Sequence, residues 1–198
     1  MSKTKSVVAL TLFLIAIVFA SGYAQEKKDV SPQQTREFYT KKTEPRTVAT
    51  IRHKGPFSEI PAVIQKLQEE VEKGKHYVAG PVMVIFHTPA EGTPENQRDW
   101  EVAIPVVKPG RLGGTEYDKM QFRFMDAADV VYAYHIGPRD KINDLYVRAF
   151  DWMKKMGYEV KGSPMEIYWT EPTKISSEDL VTEVWIFIGE QKGIRAVK

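Results

Sequence analysis

Two stretches of this chain, Val48-Ala-Thr-Ile-Arg-His-Lys-Gly-Pro56 and Val130-Val-Tyr-Ala-Tyr-His-Ile-Gly-Pro138, share one pattern and decide the fold. Each is rich in β-branched and aromatic residues, ends in His-x-Gly-Pro and leads into an amphipathic segment, which is typical of a strand followed by a helix. The interval from His53 to His135, here called the repeat interval, also separates Glu101 from Glu183 in similar strand-like surroundings. The chain therefore contains an internal duplication.

Each repeat is predicted to form a strand, a helix and two further strands. The helices are placed at 59–73 and 140–156, where apolar residues recur at helical spacing, and Gly74 and Gly157 are expected to close them in the left-handed conformation. Further strands are predicted at 81–88, 99–106, 164–170 and 181–188, and the strands before the helices begin near Phe38 and Met120. The fold class is therefore α+β: duplicated strand-helix-strand-strand units forming an antiparallel sheet, with both helices on one face. The opposite side of the sheet, here called the far face, is expected to form a ligand groove.

Residues 1–24 have the pattern of a secretory signal peptide. Lys3 and Lys5 precede an apolar run at 7–20, and small residues follow up to Ala24. The run is shorter than the roughly 20 residues that a membrane-spanning helix needs. We therefore predict cleavage after Ala24, export to the periplasm or the exterior, and no membrane association of the mature chain. An uncleaved membrane anchor stays open as the alternative.

Composition indicates the remaining boundaries. Residues 25–35 are polar and aperiodic, which is typical of a flexible leader. Residues 108–114 are rich in glycine and include a proline, and they are predicted to be a linker between the repeats. The predicted domain spans 36–190, with repeat one at 36–107, repeat two at 115–190 and a C-terminal tail at 191–198.

Charge and composition exclude several classes of function. The chain has 28 Lys and Arg against 26 Asp and Glu, and removal of Lys3 and Lys5 with the signal peptide would balance these charges. We therefore predict no nucleic-acid partner. Because the chain has no cysteine, it can form neither a disulfide nor a thiol nucleophile. His53 and His135 occupy equivalent repeat positions, which favours a role at the turn, and we predict no metal site and no cofactor.

The alternation of side chains along a strand predicts which residues point to the far face. In the last strand the aliphatic Val184 and Ile186 should meet the helices, which leaves Glu183 on the far face. The predicted far-face residues of repeat two are four aromatics and two carboxylates: Tyr132, Tyr134, Tyr168, Trp185, Glu166 and Glu183. The predicted far-face residues of repeat one are Thr50, Arg52, Met83, Ile85, His87, Glu101 and Ala103. Aromatic faces beside a desolvated carboxylate suit a flat or cationic organic ligand, although aromatic residues are also common in ordinary sheets.

The order, spacing and duplication of these motifs resemble the GyrI-like small-molecule-binding domain, which is also the effector-binding part of AraC-type and MerR-type regulators. The resemblance rests on the two His-x-Gly-Pro turns, the Gly-Pro before the following strand, the Glu-x-Tyr strand ending at Pro172 and the closing Thr-Glu-Val-x-Ile strand. It implies a pseudo-two-fold groove that binds aromatic, often cationic, compounds near a buried glutamate. It also implies that role for Glu166 and Glu183, whereas the aromatic residues are assigned from alternation.

Three functions stay open at this point. We expect a binding module for an aromatic or cationic organic ligand rather than an enzyme, and the oligomeric state is left open. Some GyrI-like proteins resemble hydrolases of cyclopropane-containing compounds; here Glu166 or Glu183 would be the general acid or base, and Tyr168 or Tyr134 the donor. A haem or tetrapyrrole binder is the third possibility, because haem-binding SOUL proteins have a related duplicated fold and His87 is predicted on the far face. No helix-turn-helix segment is predicted, so a regulator role is not expected.

Overall fold

The computed structural model describes residues 37–107, 116–170 and 174–189. The predicted signal peptide, leader, linker and C-terminal tail lie outside the described residues. Within the described part, neither helix has the length and apolar character that crossing a lipid bilayer would require.

The described residues form nine strands and two α-helices. Each helix follows a short 3-10 turn, which spans Phe57–Glu59 in repeat one and Arg139–Lys141 in repeat two. The elements in chain order are β1 (Tyr39–Lys42), β2 (Arg46–Lys54), α1 (Ile60–Lys73), β3 (Tyr77–Val78), β4 (Val82–Phe86), β5 (Asp99–Val107), β6 (Gln121–Met125), β7 (Asp129–Ile136), α2 (Asn143–Met156), β8 (Met165–Tyr168) and β9 (Val181–Phe187).

The strands form one antiparallel sheet in the order β1-β7-β9-β8-β4-β5-β2-β6, and β3 pairs with β5 beside this path. The two repeats exchange their first strands: β1 of repeat one pairs with β7 of repeat two, and β6 of repeat two pairs with β2 of repeat one. The prediction of a duplicated antiparallel α+β fold is confirmed. The exchange of edge strands was not predicted, because the upstream strands were expected to continue into the strands before the helices.

The repeats meet at the centre of the sheet, where β4 pairs with β8. Met83 lies opposite Ile167, and Ile85 lies opposite Met165. The repeat interval relates Met83 to Met165 and Ile85 to Ile167. The pseudo-two-fold axis of the duplication therefore passes between these two strands.

Both helices pack on one face of the sheet. Helix α1 buries one apolar stripe, as its periodicity predicts: Ile60, Val63, Ile64, Leu67 and Val71. It covers residues such as Ile51, Val84 and Val102 of repeat one, and α2 covers Val131 and Val184 of repeat two. Each fully buried aliphatic side chain contributes about 1.5–3 kcal/mol, so these stripes are the main attachment of the helices to the sheet.

The helix ends agree with the predictions only in part. Gly157 closes α2 with φ of +76°, in the left-handed conformation that favours glycine. Gly74 does not do the same for α1, since its φ is −75° and the left-handed residue is Lys75 with φ of +55°. Helix α2 begins at Asn143 rather than at residue 140, because residues 139–141 form the 3-10 turn.

Candidate ligand-binding face

Four of the six predicted site residues of repeat two lie on the far face. Along β7 and β9, Tyr132 is paired with Trp185 and Tyr134 with Glu183, and residues that are directly opposite share a face. Val131 and Val184, one position away, meet α2 instead. The orientation of these residues is therefore the one that alternation predicts, and their role in binding stays a prediction.

Glu166 and Tyr168 lie on the helix side, and the prediction that they face the groove is wrong. Glu166 is opposite Val84 and Val184, both of which pack under the helices. The far-face positions of β8 are taken by Met165 and Ile167. Both faces of this central strand are buried, so the apolar residues did not mark the helix side as they do in β9.

On the helix side, Glu166 is held by an ion pair and by phenol groups. It is only 1% exposed, and Arg139 donates to it from Nε at 3.0 Å and from Nη2 at 3.2 Å. The hydroxyls of Tyr168 and Tyr146 donate at 2.8 Å and 3.4 Å. Burial, followed by the charge of Glu166, raises the pKa of Tyr168 well above its usual value. These contacts connect β8 to the start of α2 and indicate a structural role.

The centre of the far face is an apolar floor with a buried carboxylate on each side. The floor consists of the two symmetry-related pairs of the central strands: Met83, Ile85, Met165 and Ile167. Glu101 is opposite Ile85 on one side, and Glu183 is opposite Ile167 on the other. Glu101 is 2% exposed and Glu183 is 0% exposed. A buried carboxylate is costly unless it is paired, so the partners of each one decide what it can do.

Glu183 lies in a group of aromatic side chains, here called the Glu183 box: Glu183, Trp185, Trp169 and Tyr132. The indole Nε1 of Trp185 donates to Oε1 at 2.8 Å, and that of Trp169 donates to Oε2 at 2.8 Å. The ammonium of Lys41, on β1, is hydrogen-bonded to Oε1 of Glu183. Its Nζ lies 4.4 Å from the ring centroid of Tyr132 and 4.5 Å from that of Trp185. The box thus holds one cation between two aromatic rings and a carboxylate.

Tyr134 stands at the edge of the Glu183 box. It is directly opposite Glu183 in the β7–β9 register, and half of its surface is exposed. Partial burial, followed by the charge of Glu183, raises the pKa of Tyr134 above its usual value. Like any phenol at neutral pH, the hydroxyl is protonated and can donate a hydrogen bond.

Glu101 is the symmetry-related carboxylate, and its surroundings are polar. Its Oε2 accepts from Nη2 of Arg123 at 2.6 Å and is 3.1 Å from Nε2 of His87. Arg123 is the repeat-two equivalent of Lys41, and His87 is the repeat-one equivalent of Trp169. The aromatic positions differ, since Thr50 and Ala103 stand where repeat two has Tyr132 and Trp185. The two halves therefore share a cation–carboxylate pair, and only one has an aromatic box.

The histidines are engaged in hydrogen bonds. His87 uses Nε2 toward Glu101 and Nδ1 toward Oγ of Ser163 at 3.3 Å, so an axial bond to haem iron would require a contact to break. His53 is hydrogen-bonded through Nδ1 at 2.5 Å and Nε2 at 2.6 Å, both to carboxylates near the turn before α1. Across the ranges that the structure describes, no three His, Asp or Glu side chains converge in a way that could hold a metal ion.

Two members of the site were missed from the sequence, and one of them could have been found from the repeat. Trp169 was not among the predicted far-face residues, and neither were Met165 and Ile167, but all three lie on the far face. The repeat interval relates Trp169 to His87, which was predicted on the far face, so an alignment of the two repeats would have selected Trp169. Lys41 was not considered, and its repeat equivalent Arg123 was not predicted in the site either.

The fold and the far face define a duplicated α+β domain of the small-molecule-binding class. The family model described as the GyrI-like small molecule binding domain matches residues 36–188, and the chain belongs to this family. None of the curated proteins is significantly similar to this chain in sequence.

Solved structures share this fold. The C-terminal domain of EcmrR has a TM-score of 0.67 and 23% identity, with coverage of 77% of this chain and 97% of that one. EcmrR in a complex with DNA has a TM-score of 0.67 and 21% identity, and the match covers 92% of this chain and 69% of that one. A hydrolase encoded by lin2189 of Listeria innocua has a TM-score of 0.59 and 13% identity, covering 83% and 96%. At these identities the similarity shows the fold alone.

Proposed function

We propose that this protein is an exported binding protein for an organic cation with an apolar or aromatic body, and that the ligand binds on the far face. The observation that carries the proposal is the Glu183 box, in which a fully buried carboxylate is bordered by indole and phenol rings. A carboxylate and aromatic faces attract the same ligand, because both favour positive charge. The cation would pair with Glu183 between Trp185 and Tyr132.

The apolar floor supports an apolar body for the ligand. Met83 and Met165 lie at its centre and are buried, so a ligand body would contact them after side chains above the floor shift, and methionine adapts to such changes better than branched side chains do. Tyr134 is half exposed at the edge of the box and offers a ring face and a hydroxyl to a bound molecule. The head group would thus be recognised by charge, and the body by contact area.

Ligand binding by the purified protein tests this proposal. Calorimetric titration with a panel of aromatic cations, each paired with a neutral compound of the same shape, should show binding of the cations only. Glu183→Gln removes the charge at nearly constant volume and should weaken binding at least tenfold. Glu101→Gln is the matched control, since Glu101 is equally buried but lacks the aromatic rings, and binding should persist. Equal affinity for neutral and charged members, or an unchanged affinity in Glu183→Gln, would contradict the proposal.

Export is a separate part of the proposal and has its own test. The N-terminal residues support it through the basic start, the apolar run and the small residues before position 25. After expression of the complete reading frame in a bacterium, cell fractionation should recover the protein outside the cytoplasm. Mass spectrometry should find a chain that begins at Gln25. A full-length chain in the membrane fraction would indicate an uncleaved anchor instead.

Hydrolysis is a second candidate, and the pairing of Tyr134 with Glu183 favours it. Tyr134 lies directly opposite Glu183, so its hydroxyl could donate a proton to a leaving group while Glu183 assists a water molecule. Incubation with cyclopropane-containing electrophiles should then give a hydrolysed product, and Tyr134→Phe should slow its formation. If compounds bind in the box and are recovered intact, the protein is a binding module and not a hydrolase.

A further inference from the structure

We infer that the Glu183 box is a site for a primary ammonium group, and that Lys41 is a tethered occupant which a ligand must displace. The inference rests on the proposed function and deepens it, because it names the head group of the ligand and the residue that competes with it. Lys41 here stands in for the ligand: its Nζ is a primary ammonium at the end of an unbranched alkyl chain.

The contacts of Lys41 are those of a bound ammonium ligand. Nζ donates to a carboxylate oxygen of Glu183 and lies at nearly equal distances, 4.4 Å and 4.5 Å, from the ring centroids of Tyr132 and Trp185. A quaternary nitrogen has no N–H group to donate, whereas Nζ of Lys41 donates to the carboxylate of Glu183. The geometry of the box therefore favours primary ammonium over quaternary ammonium.

The position of Lys41 in the fold permits its release. It belongs to β1, a strand of four residues at the edge of the sheet that is paired with β7. The Lys41 side chain is 33% exposed, whereas Glu183 is fully buried, so the box can be reached from solvent along the path of the lysine stem. Short edge strands with few backbone hydrogen bonds open at low free-energy cost.

Comparison of the two halves of the far face shows that the ion pair occurs in both, whereas the aromatic rings occur in one. Arg123 reaches Glu101 from the exchanged edge strand β6 just as Lys41 reaches Glu183 from β1. The ion pair is therefore a property of the duplicated fold and would be expected without any ligand. The rings that surround the cation occur in one half only, where Tyr132 and Trp185 replace Thr50 and Ala103. An ion pair alone does not require them, so the rings point to a ligand.

Occupancy of the Glu183 box by Lys41 lowers the affinity of the wild-type protein for a ligand. A ligand binds only to the fraction of molecules whose box is empty, and its apparent dissociation constant rises by the inverse of that fraction. If Lys41 occupies the box in about 90–99% of molecules, the penalty is about 10–100-fold. Lys41→Ala removes the competitor and leaves a channel of the width of an alkyl chain, so an added primary amine should bind that much more tightly.

The first test is a titration with two probes, n-butylammonium and n-butyltrimethylammonium, which differ in the head group. We expect n-butylammonium to bind Lys41→Ala about 10–100-fold more tightly than the wild type, and the quaternary probe to gain less than about threefold. Lys42→Ala removes a charge from the same strand, and Arg123→Ala removes the equivalent cation beside Glu101. Neither of these controls should gain affinity for n-butylammonium. An equal gain for both probes, or a gain in Arg123→Ala as large as in Lys41→Ala, would overturn the inference.

The second test uses the wild-type protein, in case Lys41→Ala does not fold. Limited acetylation with acetic anhydride, read by peptide mass spectrometry, should modify Lys41 more slowly than the adjacent Lys42. Displacement is followed separately by the nitrogen-15 resonances of the lysine ammonium groups, since n-butylammonium would itself react with the anhydride: saturating n-butylammonium should shift the resonance of Lys41 and leave that of Lys42 unchanged, because displacement exposes the ammonium. Similar rates at the two lysines without a ligand, or no change at Lys41 when a cation is bound, would overturn the inference.

The outcomes distinguish the inference from the proposed function. If organic cations bind the wild type through Glu183 but Lys41→Ala gains nothing, Lys41 is only a structural partner and the proposed function stands. If n-butylammonium binds Lys41→Ala while no organic cation binds the wild type, the box accepts ammonium and Lys41 closes it permanently, so the proposed function is wrong. Absence of binding to both proteins would reject both.

Discussion

Lys41 and Glu183 belong to different repeats, 142 residues apart, and form the ion pair that lies between the rings of Tyr132 and Trp185. The pair exists because the repeats exchange their first strands, so β1 lies beside the strands of repeat two. Arg123 and Glu101 form the equivalent pair through β6. Each half of the far face is therefore completed by a cation from the other repeat, which couples the two repeats through charge as well as through backbone pairing.

Loss of Lys41 is expected to destabilise the protein. Lys41→Met leaves Glu183 buried and without its cation, although the two indole N–H groups still donate to it. Removal of one partner from a buried ion pair costs roughly 3–5 kcal/mol, and we expect about 3 kcal/mol because Lys41 is partly exposed and the indoles remain. Urea unfolding should measure this loss. Lys42→Met, on the same strand, should change the free energy of unfolding by less than about 0.5 kcal/mol, and an equal loss in both variants would contradict the argument.

The cluster around Glu166 is expected to affect the stability of the fold and not the binding of ligands on the far face. Tyr168→Phe deletes the 2.8 Å hydrogen bond to Glu166, and the loss of a hydrogen bond to a charged group costs roughly 1.5–3 kcal/mol. The variant should unfold at lower urea concentration and bind far-face ligands with wild-type affinity. Tyr134→Phe is a useful comparison, because it should alter ligand affinity with little effect on unfolding. Weakened ligand binding by Tyr168→Phe would instead support the original prediction that this residue lines the groove.

The orientation of the last strand could be predicted from its sequence, whereas that of β8 could not. In β9 one face is aliphatic at Val184 and Ile186 and the other carries Glu183, so the pattern distinguishes the two sides. In β8 both faces are buried: Met165 and Ile167 form the floor, and Tyr168 packs under α1. Glu166 was placed on the wrong side because alternation could not tell the two buried faces apart, and its pairing with Arg139 depends on a contact with another element that periodicity does not report.

The role of Lys41 in the site could not be predicted from the local sequence pattern either, but the reason differs from that for β8. Which strand lies beside which is a property of the assembled sheet, and the exchange of β1 and β6 joins residues that are far apart in sequence. The repeat itself was recognisable, and it predicts that whatever Arg123 does for Glu101, Lys41 does for Glu183. Internal symmetry therefore carried more information about the site than the residue types of any single strand.

Asp99 is expected to contribute to a loss of stability in acid. Burial alone would raise the pKa of Asp99, but hydrogen bonds from Arg52, bidentate at 2.8 Å, and from Tyr117 at 2.9 Å outweigh it, so the pKa is lowered. The unfolded chain then binds a proton more readily than the folded one, and the stabilisation is present above the usual pKa of about 4 and lost as the pH falls through the lower folded value. Asp99→Asn should reduce stability at pH 7 and flatten the dependence of stability on pH below about 5.

The loss of folding stability at alkaline pH is expected to depend on Tyr168 and Tyr146. Burial, followed by the charge of Glu166, raises the pKa of both phenols well above the usual value. The folded protein then holds protons that the unfolded chain releases near pH 10, so this contribution to stability is complete below about pH 10 and lost as the pH rises further. Tyrosinate absorbance should titrate identically in the wild type and in Tyr168→Phe up to about pH 11 while both are folded. In denaturant, where every phenol is exposed, Tyr168→Phe should lack one titrating group. A difference between the folded proteins near pH 10 would mean that the Tyr168 hydroxyl reaches solvent, and the helix-side cluster would then be open.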